Sequence, residues 1–400
     1  MHLVRDRAHQ FGVRGIDPQA LSFDLRAAVG RKDEIVGGII SGIKSGLAKT
    51  AAITYINGRA AFLSPREIRV GKQTITADKT IMAVGSRVAK AQIPGLEDAG
   101  YLTNNEALKL HQVPASMVII GAGYVGVEFA QMYARFGTRV TLVSRSARVM
   151  RNEEPELSEA LGHLLVQEGI NLLTDTAVTA AGQADGQRYV EVKPATGKVQ
   201  RLEAEQILLA AGRTARIEDL GLEQAGVALQ NGFIQANGQL QTTAPNIWSL
   251  GDANGGQMFT HRAIYDGVTS ALNAVLDKGR TVDYRVVPRA VFTEPALASV
   301  GLTQAEAEAR GASVSIGTYA FSGSGRGKAM GATEGLVKIV ADDKTGEILG
   351  GHILGAHADM LIHELVVAMQ QRATARDLGK TIHIHPTLNE IVQSAAKAVK

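Results

Sequence analysis

Residues 116–146 read SMVIIGAGYVGVEFAQMYARFGTRVTLVSRS, and the reading of this stretch decides the fold. An apolar run leads into glycines at 121, 123 and 126, then apolar residues at helical spacing, then a second apolar run. That order predicts strand, glycine turn, helix and strand, one βαβ unit. Gly121 permits the tight turn, Gly123 lets the backbone approach a pyrophosphate, and Gly126 lets helix and strand pack closely. The phosphates would lie on the helix N-terminus, where free N–H groups and the helix dipole favour negative charge. The competing reading is a tight turn with no ligand.

The second strand of such a unit ends in an acid when it binds a ribose 2′-hydroxyl. Here Ser144 and Arg145 stand in that place and Arg148 follows. A hydroxyl and guanidiniums suit a 2′-phosphate, so the expectation leans to NADP. Gly126 is equally compatible with NAD, and arginines after a strand are common on surfaces.

Working outward, 400 residues exceed one ordinary core and predict two or three domains. With 45% apolar and 20% charged residues the composition is that of a soluble globular protein. There is no run of eighteen apolar residues and no signal-like N-terminus, so no membrane association is expected and the expected location is cytoplasmic. A net charge of +3, with both signs interspersed, gives no basic stripe for nucleic acid. The chain contains no cysteine, which excludes disulfides, thiolate metal sites and thiol nucleophiles within it. His352, His357 and His363 have spacings that fit no helical ligand face, so no metal is expected.

Residues 1–50 show helical spacing in DLRAAVGRKDEIVGGIISGIKSGLAK. Over 51–84 the period shortens, and AAITYING, AAFLS, EIRVG and QTITADKTIMAVG read as short strands. IPGLEDAG at 93–100 reads as a linker. Beyond 288 the pattern is α+β. Three further strands end in small residues and glycine: TIMAVGSR at 80–87, QILLAAGR at 206–213 and NIWSLGDA at 246–253. The last sets a carboxylate, Asp252, at a strand end, where α/β sheets bind ligands. In HIHPTLNE, 383–390, Pro386 biases His385 toward extended backbone and suits a first helical position, with Glu390 able to fold back onto the imidazole. A carboxylate on Nδ1 would fix the tautomer and raise the basicity of Nε2. The plainer alternative is a helix cap with Glu390 in solvent.

Taken in order, TIMAVGSRVAKAQIPG, GAGYVGVEFA, LLAAGR, NIWSLGDANGG, VFTEPALASVGLT and HIHPTLNE resemble the class I pyridine nucleotide–disulfide oxidoreductases. Among these the look is closest to dihydrolipoamide dehydrogenase, with a mercuric reductase as second choice. The resemblance implies an α/β protein with two Rossmann-like domains, for FAD and NAD(P), the first incomplete, and an α+β C-terminal dimerisation domain. The boundaries would be 1–106, 107–237, a return segment 238–287, and 288–400. It further implies that Ala60, Val84, Gly85 and Ser86 line the FAD, that Asp252 after Gly251 holds its ribityl chain, and that Met258, Phe259, Thr260 and His261 start a helix at the flavin. Gly121, Ala122, Gly123, Tyr124, Val125, Gly126, Val127 and Glu128 would carry the nicotinamide dinucleotide, with Gly212 beside it. His385 and Glu390 would be the acid/base for a thiol pair, reaching into the partner subunit of a homodimer.

Departures go with the resemblance. The family's first glycine loop and its C-x4-C helix have no counterpart in these residues, so the expectation is a chain lacking its N-terminus. Asn389 stands where the family usually has serine. The leading reading is an FAD-dependent NAD(P)H oxidoreductase acting on a small disulfide, a dithiol or a lipoyl-bearing partner. The alternatives are a cysteine-free diaphorase or quinone reductase, and an inactive dimeric remnant that binds NAD(P).

Overall fold

The computed structural model describes residues 3–17 and 20–400. The chain divides into two compact units: Met1–Arg26, Ala91–Ala211 and Arg285–Lys400 form one, and Ala27–Lys90 with Gly212–Tyr284 form the other.

In the first unit the decisive stretch folds as strand Ser116–Ile120, helix Tyr124–Phe136 and strand Arg139–Val143. These strands join Gln206–Leu209 on one side and Asn171–Leu173 on the other in a wholly parallel four-stranded sheet. A parallel sheet is covered on both faces, and Val118, Ile119, Leu142, Ile207 and Leu208 are all buried. The helix ends at Gly137, whose φ of +106° is the left-handed cap that glycine adopts without strain. An antiparallel sheet of Thr176–Ala184, Gln187–Pro194 and Gln200–Ala204 follows. Segment 93–100, expected as a linker, contains a short helix, Leu96–Ala99. Pro94 O accepts from Ala181 N, so packing on the neighbouring strand orders it and buries Leu96 and Ala99.

The C-terminal part of this unit is a five-stranded antiparallel sheet in the order Arg289–Val291, Ala296–Gly301, Ile348–Gly355, Leu336–Asp342, Val314–Ala320. Helices Ala358–Gln370 and Asn389–Lys397 bury Leu361, Ile362, Leu365, Ile391, Val392 and Ala395 in one cluster with Val337, Ile339 and Ile353. Each large apolar side chain so buried contributes roughly 1.5–3 kcal/mol. The last helix starts at Asn389, not at Pro386, because Thr387 and Leu388 first turn the chain and Leu388 caps the helix.

In the second unit a single parallel strand pair, Thr80–Met82 with Ile247–Ser249, packs on helix Thr260–Leu276, and the unit also contains most of helix Leu25–Lys49. The hairpin sheet of Ala60–Phe62, Glu67–Val70 and Gln73–Thr76 is as expected. Residues 51–58 form no strand, against expectation. No strand pairs with them, Ile53, Tyr55 and Ile56 stay exposed, and β-propensity unsupported by pairing and burial does not make a strand. Ile39, Ile43, Ile264, Val268 and Val275 are exposed on the two helices.

A buried charge network joins the parallel sheet to the five-stranded one. Glu153, just ahead of helix Pro155–Gln167, takes bonds from Arg289 Nε (2.7 Å), Ser299 Oγ (2.6 Å) and Tyr124 Oη (2.6 Å). Burial opposes its charge, but Arg289 and these bonds outweigh burial and hold the carboxyl below its usual range. Next to it, Lys338 Nζ bridges Glu154 and Glu156 at 2.9 Å each. His352 donates from Nε2 to Leu302 O (3.0 Å), while its buried Nδ1 has no partner among the described residues. Burial pushes this imidazole down despite Glu154 at 3.7 Å.

Both shifts make the native state refuse protons that the unfolded chain accepts. Stability is therefore lost as pH falls, first below about pH 6.5 through His352 and then below about pH 4.3 through Glu153. The thermal midpoint of His352→Gln, followed from pH 8 to 4, is expected to lose the first stage of this decline and keep the second. A profile that coincides with the parent's would contradict the assignment.

Candidate active site

The dinucleotide loop is built by three glycines with three different constraints. Gly121 sits at φ +109°, and a Cβ there would lie 2.5 Å from Ala210 O. A Cβ on Gly126 would lie 1.8 Å from Gly121 O, so helix and strand close only on glycine. Gly123 differs: its φ of −86° suits any residue and no atom lies within 4 Å of where a Cβ would be. The space it leaves opens in front of the helix N-terminus. Ala122 and Val127 are buried in the core, so they offer the ligand backbone only. Tyr124 gives its hydroxyl to Glu153, and burial pushes the phenol up, so the O–H is retained. Glu128 accepts from Phe292 N (2.9 Å), and burial pushes its carboxyl up.

At the end of the next strand Ser144 is buried, with Oγ accepting from Ser146 N (3.1 Å). Arg145 is exposed. Arg148 touches Arg151 O, and its Nε is a buried donor without a partner among the described residues.

Also in this unit, HIHPTLNE forms the expected pair. His385 Nδ1 donates to Glu390 Oε1 at 2.9 Å, and Thr387 N donates to Glu390 Oε2 at 2.9 Å. The bond from His385, then that from Thr387, holds the Glu390 carboxyl below its usual range. The His385 side chain is 81% exposed, and Nε2 has no hydrogen-bond partner among the described residues. Chemically, this is an imidazole of fixed tautomer presenting one basic nitrogen to the outside.

In the second unit the strand pair Thr80–Met82 and Ile247–Ser249 delivers Val84, Gly85 and Ser86 next to Gly251 and Asp252. Ser86 Oγ donates to Asp252 Oδ2 (2.5 Å) and accepts from Arg213 Nε (2.7 Å). Asp252 Oδ1 has no partner among the described residues. Gly85 (φ +69°) and Gly212 (φ +120°) both face open space. Ala60 and Val84 line one cavity of about 560 Å³, together with Arg59, Arg69, Arg87 and Arg216. Met258 and Phe259 precede the helix and Thr260 and His261 begin it, with the Phe259 and His261 rings stacked at 5.4 Å.

The family model for the pyridine nucleotide-disulphide oxidoreductases matches residues 4–267, and the model for that family's dimerisation domain matches 287–396. This chain belongs to the pyridine nucleotide–disulfide oxidoreductases. It is thus an enzyme of the FAD- and pyridine-nucleotide-dependent type. Mitochondrial dihydrolipoyl dehydrogenase of Pisum sativum is 33% identical over 404 residues, 99% of this chain and 80% of the relative. Mercuric reductase of Staphylococcus aureus is 33% identical over 385 residues, 96% and 70% of the two chains. The HOCl-induced flavoprotein disulfide reductase of Escherichia coli superposes with a TM-score of 0.86 at 28% identity, over 94% of this chain and 87% of its own.

The residues of this oxidoreductase fit both coenzymes where the chain reaches them. The gap at Gly123 admits a pyrophosphate at the helix N-terminus. The free Asp252 Oδ1 can accept a polyol hydroxyl, and Gly85 leaves room for close approach. Within these 400 residues the G-x-G-x-x-G pattern falls at 121–126. Sequence reading missed Arg213, which orients Ser86, and Glu364, which binds His383 and Asn389. Arg213 is visible in LLAAGR as the residue after the glycine. Glu364 has no local signal.

Gly121 and Gly123 separate folding from binding. Gly123→Val is expected to cost about 1 kcal/mol of stability, the cap preference of glycine at the helix start, while its side chain fills the open space and NAD(P)H affinity falls about tenfold or more, roughly 1.4 kcal/mol. Gly121→Ala is expected to cost about 1–3 kcal/mol of stability. Unchanged affinity in Gly123→Val, by calorimetric titration, would remove the loop as the binding site.

Proposed function

We propose that this chain is an NADP(H)-preferring oxidoreductase of the dihydrolipoamide dehydrogenase or disulfide reductase type, working as a homodimer on a small disulfide, a dithiol or a lipoyl-bearing partner. The observation that carries the reading is His385: Nδ1 held by Glu390, Nε2 open. Such a group takes the proton of a thiol as it becomes thiolate and returns it when the thiol re-forms. The 400 residues contain no cysteine, so that thiol belongs to a group outside them. When bound, FAD supplies the hydride acceptor for the nicotinamide and the electron pair that a disulfide takes up.

Val84, Gly85, Ser86 and Asp252 would hold the flavin's ribityl side, and the helix begun at Thr260 would favour negative charge on the ring. The loop 121–126 would hold the dinucleotide. Arg145 and the bare Nε of Arg148 would meet a 2′-phosphate, which supports NADP over NAD. Ile382, Ile384, Phe292, Met360 and Val367 are exposed on the part that matches the dimerisation domain, which supports a second copy covering them and His385 reaching into its site.

The test is steady-state NAD(P)H oxidation, with FAD supplied, using lipoamide, small disulfides or a quinone as acceptor. His385→Gln is expected to lower the disulfide rate about 100- to 10,000-fold and leave the quinone rate unchanged. Quinone turnover with none on any disulfide would instead favour the cysteine-free diaphorase. Arg145→Glu is expected to shift preference from NADPH toward NADH; unchanged NADPH kinetics would remove Arg145 from the account.

A further inference from the structure

HIHPTLNE contains two histidines two residues apart, and the structure treats them oppositely. Ile382 and Ile384 are 96% and 78% exposed, whereas the His383 side chain is 6% exposed: the segment alternates, and His383 is the residue turned inward. Its Nδ1 lies 2.9 Å from Thr381 O and its Nε2 lies against Glu364 Oε1 on helix Ala358–Gln370. A carbonyl oxygen only accepts, so Nδ1 must carry a proton. The contact between Nε2 and Glu364 needs one proton as well, whichever side holds it. Neither ring nitrogen is left open.

The surroundings close the arrangement. Asn389 Nδ2 donates to Glu364 Oε2 at 2.9 Å, and Asn389 is the first residue of the helix that carries Glu390. Gln393 Nε2, one turn on, donates to Thr381 O at 2.6 Å. Glu364 therefore ties down both sides of the His385 segment, through His383 before it and Asn389 after it. Glu364 is the charged group bonded to His383. The attraction of His383 is among the causes that hold the Glu390 carboxyl low, after the His385 bond itself.

We propose that His383 is a positioning residue rather than a proton carrier: with Glu364 and Asn389 it forms a closed clamp that orients the His385–Glu390 pair and keeps Nδ1 of His385 on the carboxylate. This rests on His385 being the acid/base group. The division of labour is geometric. One histidine has an open nitrogen and exchanges protons; the other has none and holds the frame. Asn389, a departure from the serine usual in the family, takes a defined part as the amide donor to Glu364.

The test is the nitrogen spectrum of the full chain, with 15N-labelled histidine, at pH 8.5. The parent is expected to show His385 with Nδ1 protonated and Nε2 bare, and His383 with Nδ1 protonated and Nε2 hydrogen-bonded to Glu364. Glu364→Ala is expected to shift the tautomer ratio of His385 about fivefold toward Nε2–H, roughly what one hydrogen bond sets, and to expose a bare nitrogen on His383. Glu364→Gln, whose amide oxygen still accepts from Nε2, is expected to restore most of the ratio and guards against a general loss of structure. An unchanged His385 ratio in a folded Glu364→Ala overturns the proposal, as does an unprotonated Nδ1 on His383 in the parent. If instead His385 in the parent shows no preference for Nδ1–H while His383 is closed, the acid/base reading fails and the clamp has nothing to orient.

Discussion

The carbonyl oxygen of Gly121 occupies the place where a side chain on residue 126 would begin, 1.8 Å from an ideal Cβ. Much of the first unit follows from that contact. It lets helix Tyr124–Phe136 approach the parallel sheet closely and aims the free N–H groups of its first turn at the space left by Gly123. It also sets the direction of Tyr124, whose hydroxyl reaches Glu153 and through it Arg289 and Ser299 of the five-stranded sheet. The open space at the helix N-terminus and the buried charges that join two sheets thus share one backbone constraint. Those charges are few but costly to disturb, since removing one partner strands the other in the core.

What the sequence made legible is what local chemistry decides. The βαβ unit could be read because turn, close-approach and packing roles fall on three glycines within six residues. The His385–Glu390 pair could be read because its members lie five residues apart. Glu364 and His383 are 19 residues apart, Ser86 and Arg213 are 127 apart, and Glu153 and Arg289 are 136 apart. Such pairs are made by topology and leave no periodic mark. The same limit explains 51–58, where strand-like composition finds no strand to pair with, and 93–100, where a loop-like composition is turned into helix by its neighbour. Pro386 does not mark where the helix begins, which is at Asn389.

His385 and His383, two residues apart, sit in opposite surroundings. Exposure and a single carboxylate leave His385 with one nitrogen to work with. Burial between a carboxylate and a carbonyl leaves His383 with none. Both belong to a chain without cysteine, so the thiol chemistry that the pair suits meets a partner outside these residues. The nicotinamide side needs no such partner. The loop, helix terminus and arginines proposed for the dinucleotide all lie within one unit.

A crystal structure of the chain with NADP+ tests this account most directly. The account predicts pyrophosphate oxygens within hydrogen-bond distance of the backbone N–H groups that follow Gly121, with the 2′-phosphate against Arg145 and Arg148. A dinucleotide bound elsewhere, or a loop that stays empty at saturating coenzyme while the rest of the chain is well ordered, would contradict it.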